Sequence, residues 1–240
     1  MKNILIKIIP ICLLIFASCA SDDTEGISKV TVYPIVTVTG PSEELIPYGD
    51  VYTDPGAIAT EDGAEIEVES STGSGTYFGE SFTTTNPDNY STTYTAYNSD
   101  GFGANESRSL WVANTGDLTT SIEGLYISDI YRVGRGNLDG NQYVVISKTG
   151  VNTYALSHGI GGYYDLGEGY GPGYAALGTI ITANDIATND FTATDSTFPL
   201  WGDTSSLTKL TVDAASKTIT YTGTTSWGAI FEVTLTQVQL

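Results

Sequence analysis

Between Ser157 and Tyr174 the chain reads SHGIGGYYDLGEGYGPGY. This stretch holds the only histidine of the sequence, four tyrosines, and a glycine at every second position from Gly167 to Gly173. Tyrosine and tryptophan rings stack on the C–H faces of pyranose sugars, and carboxylates accept hydrogen bonds from sugar hydroxyls. Binding sites generally combine such apolar walls with a few polar groups. Tyr163, Tyr164, Tyr170 and Tyr174, joined by Trp201 and Trp227 downstream, are therefore candidate rings, with Asp165, Glu168 and Asp203 as candidate acceptors. The same aromatics also suit the interior of a β protein, with the glycines marking bends or bulges. Both readings stand on sequence alone. Loops carry binding more freely than strands, so this segment is the first place to look for function.

Other chemistries find less support. A glycine-rich phosphate loop must follow a strand and open a helix, whereas Pro172 and its neighbouring glycines open none. A Ser–His–Asp triad would have to use His158, yet no Gly-x-Ser-x-Gly elbow presents a nucleophile. Zinc hydrolysis lacks a second histidine. Glycoside hydrolysis needs only two carboxylates some 5–9 Å apart; among 28 acids such a pair arises by chance. No catalytic residue and no cofactor are expected. Asn137-Leu138-Asp139-Gly140-Asn141 alternates oxygen side chains around a glycine, as calcium loops do, but lacks the downstream bidentate Glu of an EF-hand. An ordinary turn between two strands is the plainer reading of Asn137, Asp139 and Asn141. Arg132 and Arg135 flank that segment, where they either pair with local carboxylates or face an acidic ligand.

The 240 residues carry 9 Lys and Arg against 28 Asp and Glu, a formal charge of −19. Such a surface repels phosphate backbones, and nine scattered basic residues build no nucleic-acid interface. The acidity argues against polyanionic partners in general, so a glycan ligand is expected to be neutral. With 40% apolar and 11% aromatic residues, the chain has enough material for packed cores.

Residues 1–18, MKNILIKIIPICLLIFAS, place Lys2 and Lys7 ahead of an apolar run too short for a permanent membrane span. The run ends Phe16-Ala17-Ser18-Cys19, which resembles a bacterial lipobox, and an ordinary signal peptide is the competing reading. The resemblance implies lipidation of Cys19. Cleavage before Cys19 leaves 222 residues and shifts the charge from −19 to −21. Cys12 departs with the peptide, so no disulfide is available to the exported protein. Residues 19–28 form a polar tether whose Asp22, Asp23 and Glu25 resemble the acidic sorting signal of Bacteroidetes surface lipoproteins. That resemblance implies an outer-membrane location, facing outward.

From Lys29 onward, short alternating runs separated by Gly, Asn, Asp and Pro predict an all-β protein. Strands are expected at 29–39, 65–69, 91–97 and 108–112, then at 124–133, 142–148, 153–157, 175–181, 207–213, 218–222 and 230–237. The short polar segment 113–120 suggests a boundary, giving domains at 29–113 and 121–240. In the first, Gly49-Asp50-Val51-Tyr52-Thr53-Asp54-Pro55-Gly56-Ala57 precedes Tyr94-Thr95-Ala96-Tyr97-Asn98-Ser99-Asp100-Gly101 and Arg108-Ser109-Leu110-Trp111-Val112. This order resembles the bacterial immunoglobulin-like domains of surface proteins, with residues 70–89 departing from their usual spacing. Asp54-Pro55-Gly56 suits a type II turn, because Pro fixes φ and Gly supplies φ > 0. The resemblance implies an immunoglobulin-like β-sandwich acting as a spacer. The second domain is expected to be an antiparallel β-barrel or β-sandwich. It resembles the C-terminal β domains of Bacteroidetes lipoproteins found beside SusC/SusD-type glycan importers. The expectation is a lipid-anchored surface accessory protein that binds glycan for polysaccharide uptake. The alternative is a non-catalytic subunit docking on an outer-membrane importer or another surface protein.

Overall fold

Alternating β-branched and polar residues favour half-buried strands over helices. Residues 30–240 are described by the computed structural model, except for the side chains at 139–141. They form sixteen strands and only two single helical turns, Tyr163–Gly167 and Pro172–Tyr174. The expected signal peptide, Cys19 and the acidic tether lie outside the described residues.

The first unit contains β1 (Ile35–Val38), β2 (Glu43–Pro47), β3 (Ala57–Glu61), β4 (Ala64–Ile66), β5 (Glu69–Thr72), β6 (Asp88–Tyr97) and β7 (Gly103–Ala113). One sheet has the order β1-β3-β4 and the other β2-β7-β6-β5, with β2 parallel to β7. Sequence patterning misses β2, β3 and β5, which are short and carry few buried apolar residues. Tyr90 and Tyr94 on β6 fill the interior with Leu110 and Val112 of β7, Ile46 of β2, Val36 of β1 and Ala59 of β3.

Arg108 is fully buried at the centre of this unit. Its guanidinium pairs with Glu44 on β2 and stands 3.7 Å from Asp54. It also donates to the carbonyls of Thr39 (2.6 Å) and Gly56 (3.3 Å). Asp54 in turn accepts a 2.6 Å bond from the Tyr94 hydroxyl and a 3.0 Å bond from the Gly56 amide. Gly56 has φ +77°, as the Asp-Pro-Gly turn requires. One cation therefore ties the turn before β3 to the opposite sheet.

Residues 73–87 cross without strand structure and fold around Asp88. The buried Asp88 carboxyl accepts backbone N–H bonds from Tyr77, Phe78, Gly79 and Asn89. Burial pushes it above the usual carboxylate range, and those four donors oppose the rise. This fold-over sets Tyr77 at the edge of the unit.

The second unit contains β8 (Gly124–Arg132), β9 (Gly136–Lys148), β10 (Thr153–Leu156), β11 (Thr179–Asp185), β12 (Asp190–Ala193), β13 (Ser196–Thr197), β14 (Thr204–Asp213), β15 (Thr218–Thr225) and β16 (Ile230–Gln237). Their order is β12-β11-β10-β9-β8-β16-β15-β14-β13. The two edges, β12 and β13, are one stretch of chain interrupted at Thr194 and Asp195. It pairs with β11 through β12 and with β14 through β13. The Asn189 side chain receives the Val212 amide at 2.7 Å, tying the same edges together at their other end. The sheet thus wraps on itself as an up-and-down barrel, and the sandwich alternative for this unit falls away. Asn137, Asp139 and Asn141 lie within β9 and not in a turn. Pairing shifts register opposite them, between Ser128 and Ile130, so the polar run is absorbed as a bulge. The hairpin turn is Val133–Arg135.

The connection between the units is folded. Leu118 and Ile122 enter the barrel core. Asp117 caps the loop by accepting amides of Thr119, Thr120 and Ser121, which hold its carboxyl well below the usual range. Trp111 and Ala113 of β7 then pack on Leu125 of β8 and Val145 of β9, with Tyr77, Tyr143 and Leu166 around them. The first unit therefore lies against the outer wall of the barrel.

Replacing Arg108 by Met should remove the central tie and leave Glu44 and two carbonyls without their cation. Both acids keep partial solvent access, with side-chain exposures of 24% and 29%. The expected cost is therefore about 3 kcal/mol, the low end for breaking a buried pair. Urea denaturation checks it through a lowered midpoint at unchanged slope.

Candidate functional site

In a meander barrel every second connection emerges at the same end. Here those connections are 133–135, 157–178, 198–203 and 226–229. The long one, 157–178, turns back into the barrel. Ile160, Tyr163 and Tyr164 join Phe198, Tyr221, Phe231 and Val233 in its core. Close approach makes this possible at two glycines. Gly161 has φ +71°, and a Cβ there would lie 2.6 Å from the Ser128 hydroxyl. On the facing strand, a Cβ on Gly223 would lie 2.9 Å from Ile160. Gly161 thus lets the plug backbone sit against strand side chains, and Gly223 lets the strand approach the Gly159 carbonyl.

Beyond this plug the chain returns to the surface, and the ring candidates separate into two groups. Tyr163 (5% exposed) is a core residue. Tyr164 has only its edge exposed, and burial raises its hydroxyl pKa while the charge of Arg132 opposes the rise. Tyr170, Trp201 and Trp227 are 52%, 41% and 42% exposed, high values for such large rings. Together with Tyr164, Asp203, Arg132 and Arg135 they line one open groove of about 410 Å³. Trp201 stands edge-on to Trp227 at 5.7 Å and to Tyr164 at 4.9 Å, while Tyr170 stacks on Tyr164 at 6.1 Å. Tyr174 closes the ring set, 5.1 Å from Trp201 and 5.5 Å from Tyr170. Such edge-to-face contacts, each contributing about 0.5–1.5 kcal/mol, hold the exposed rings at fixed angles. Asp203 faces solvent and accepts the Ser226 hydroxyl at 2.9 Å. Glu168 is exposed beside the groove without lining it.

Asp165 takes no part in the groove. It is 3% exposed, and its Oδ2 accepts from Tyr77 Oη at 3.1 Å and from His158 Nε2 at 3.0 Å. His158 Nδ1 lies 2.7 Å from Ser157 Oγ, which also receives the Val145 amide at 3.0 Å. A carboxylate can only accept, so in the neutral ring it places the proton on Nε2 and leaves Nδ1 to accept from Ser157. This connectivity has the order of a hydrolase triad. However, Ser157 and His158 are fully buried, and the serine is already bonded on both sides. The chain places these groups where they join the two units: Tyr77 comes from the first, its ring 4.3 Å from His158 and 6.1 Å from Trp111. Burial and the Asp165 charge raise the Tyr77 hydroxyl pKa far above its usual value, so it remains a donor. Sequence reasoning had no signal for Tyr77, which lies 88 residues from its partner.

Residues 115–237 match a protein-family model described as "-like, C-terminal domain", just over half of the chain. The chain belongs to this family. The matched span begins in the folded connection and ends with β16, so the family's domain is the barrel with its capped entry. No curated protein matches the chain. Among solved structures, the chain is similar to the crystal structure of the lipoprotein BT2262 from Bacteroides thetaiotaomicron. The TM-score is 0.65 at 26% identity, over 85% of this chain and 100% of that one. A likeness of that extent covers both units, beyond the span of the family domain. Among the described residues, no helix is long and apolar enough to cross a membrane.

Changing Tyr77 to Phe removes one of the two side-chain donors from the buried Asp165. Unfolding free energy should fall by about 1–3 kcal/mol with the far-ultraviolet circular dichroism unchanged. An unaltered urea midpoint would show that the bond across the units contributes nothing to stability.

Proposed function

We propose that the protein is a lipid-anchored surface accessory protein whose barrel mouth binds glycan without catalysis. The observation that carries the binding reading is the convergence of Tyr170, Trp201 and Trp227 on one groove at one end of the barrel. Large rings held half exposed by their neighbours supply flat apolar walls, and Asp203 supplies an acceptor at the rim. Sugars are recognised by this combination of stacking faces and few polar groups. The anchor reading is supported by the lipobox at Phe16–Cys19 and by the similarity to a Bacteroides lipoprotein. An outward-facing location beside a SusC/SusD-type importer would let the groove gather polysaccharide for uptake. The first unit, of the immunoglobulin-like kind its motifs suggest, serves as a rigid base clamped to the barrel wall. It leaves the mouth open.

Two outcomes are expected. Replacing Trp201 by Ala should weaken binding to the polysaccharides retained by the parent protein at least tenfold in calorimetric titration, because it removes about 1.4 kcal/mol or more of stacking area. Absence of binding across a broad glycan array would defeat the glycan reading and leave the anchor standing. Separately, Cys19→Ser should move the protein from the membrane fraction to the soluble fraction of export-competent cells. Retention of the variant in membranes would show that something other than lipid holds it there.

A further inference from the structure

Basic residues are scarce in this chain, nine against 28 acids. Two of them nevertheless stand in the wall of the aromatic groove, Arg132 at the end of β8 and Arg135 in the β8–β9 turn. Arg132 is half-buried, its guanidinium carbon 5.4 Å from the centre of the Tyr163 ring, 5.6 Å from Tyr164 and 5.5 Å from Phe231. Arg135 is exposed beside it. Among the described residues, neither side chain has a carboxylate within ion-pair distance or donates a hydrogen bond. Asp203 lines the same groove, but its side-chain bond goes to Ser226. A partly desolvated guanidinium that rests on ring faces is held in position by cation–π attraction, while its fork of N–H donors finds no acceptor among the described residues. Arg108 shows the contrast, its terminal nitrogens bonded to the Glu44 carboxylate and to the carbonyls of Thr39 and Gly56.

We propose that the groove takes a sugar bearing an oxyanion, either a uronic carboxylate or a sulfate ester, which Arg132 and Arg135 bind beside the stacked ring. This rests on the glycan reading and specifies its charge class, departing from the neutral ligand that composition suggests. The net charge of −19 is spread over the whole molecule, and exposed charges are screened beyond about 8 Å at physiological ionic strength. Bidentate guanidinium–oxyanion bonds act at contact and escape that screening. The acidic surroundings then disfavour densely charged polymers and leave isolated, well-placed anionic groups as the preferred ligand.

The test compares matched polysaccharides on the detergent-solubilised protein: sparsely de-esterified pectin against its fully methyl-esterified form, and lightly sulfated dextran against dextran. The charged member of at least one pair should bind roughly tenfold tighter or more, and Arg135→Gln should abolish that preference. Which pair discriminates tells carboxylate from sulfate. Arg135 is exposed, so its variant should fold; Arg132→Lys keeps the charge but loses the fork, and should cut binding several-fold. Equal binding of charged and neutral members, or an Arg135→Gln protein that still discriminates, overturns the charge assignment while leaving glycan binding intact. Failure of every polysaccharide to bind overturns both.

Discussion

The interior of the barrel is filled by its own crossing segment, and the placement of the remaining features depends on that packing. Ile160, Tyr163 and Tyr164 enter the core with Phe198, Tyr221 and Phe231, while glycine at 161 and 223 leaves room for the close approach of plug and wall. Protein interiors tolerate few voids, so a barrel whose walls carry many threonines needs such a plug. Once the plug is seated, its two flanks face opposite tasks. Asp165 is directed toward the first unit, and Tyr170 toward solvent at the barrel mouth.

The plug also connects the two units. Tyr77 reaches Asp165, and Trp111 stacks between Tyr77 and Tyr143 against the barrel wall. Covering that wall explains a feature of the strands themselves. Leu125 and Val145 face the first unit, while Tyr126, Val144 and Ile146 face the core, so β8 and β9 are buried on both sides over part of their length. A spacer raising a distal domain would leave that outer wall wet. The two units instead pack against each other along that wall.

Legibility in the sequence followed the strength of local signals. β6, β8, β15 and β16 stood out because apolar and polar residues alternate over eight residues or more. β12 and β13 did not, because Asp190–Thr197 offers little apolar contrast, yet this stretch closes the barrel. The run Asn137–Asn141 looked like a turn, since Asp-Gly-Asn has turn chemistry. It became a bulge in β9 because pairing with β8 at Leu138 on one side of the bulge and Gln142 on the other holds the strand in line. Of the ring candidates, Tyr164, Tyr170, Trp201 and Trp227 line the groove with Asp203, and Tyr174 adjoins it. Tyr163 and Asp165 are inside.

Sequence alone determined that the chain is all-β in class and that aromatic residues concentrate around 157–174. Those are properties of composition, turn residues and short-range alternation, all local in the chain. Only the tertiary structure decided which tyrosines are core and which are surface, since neighbours such as Tyr163 and Tyr170 differ by their position relative to the plug. It also decided that Arg132 and Arg135 face an aromatic groove with no ion-pair partner among the described residues, and that Asp165 serves the junction. Each of these depends on contacts between residues tens of positions apart, and barrel closure is what brings them together.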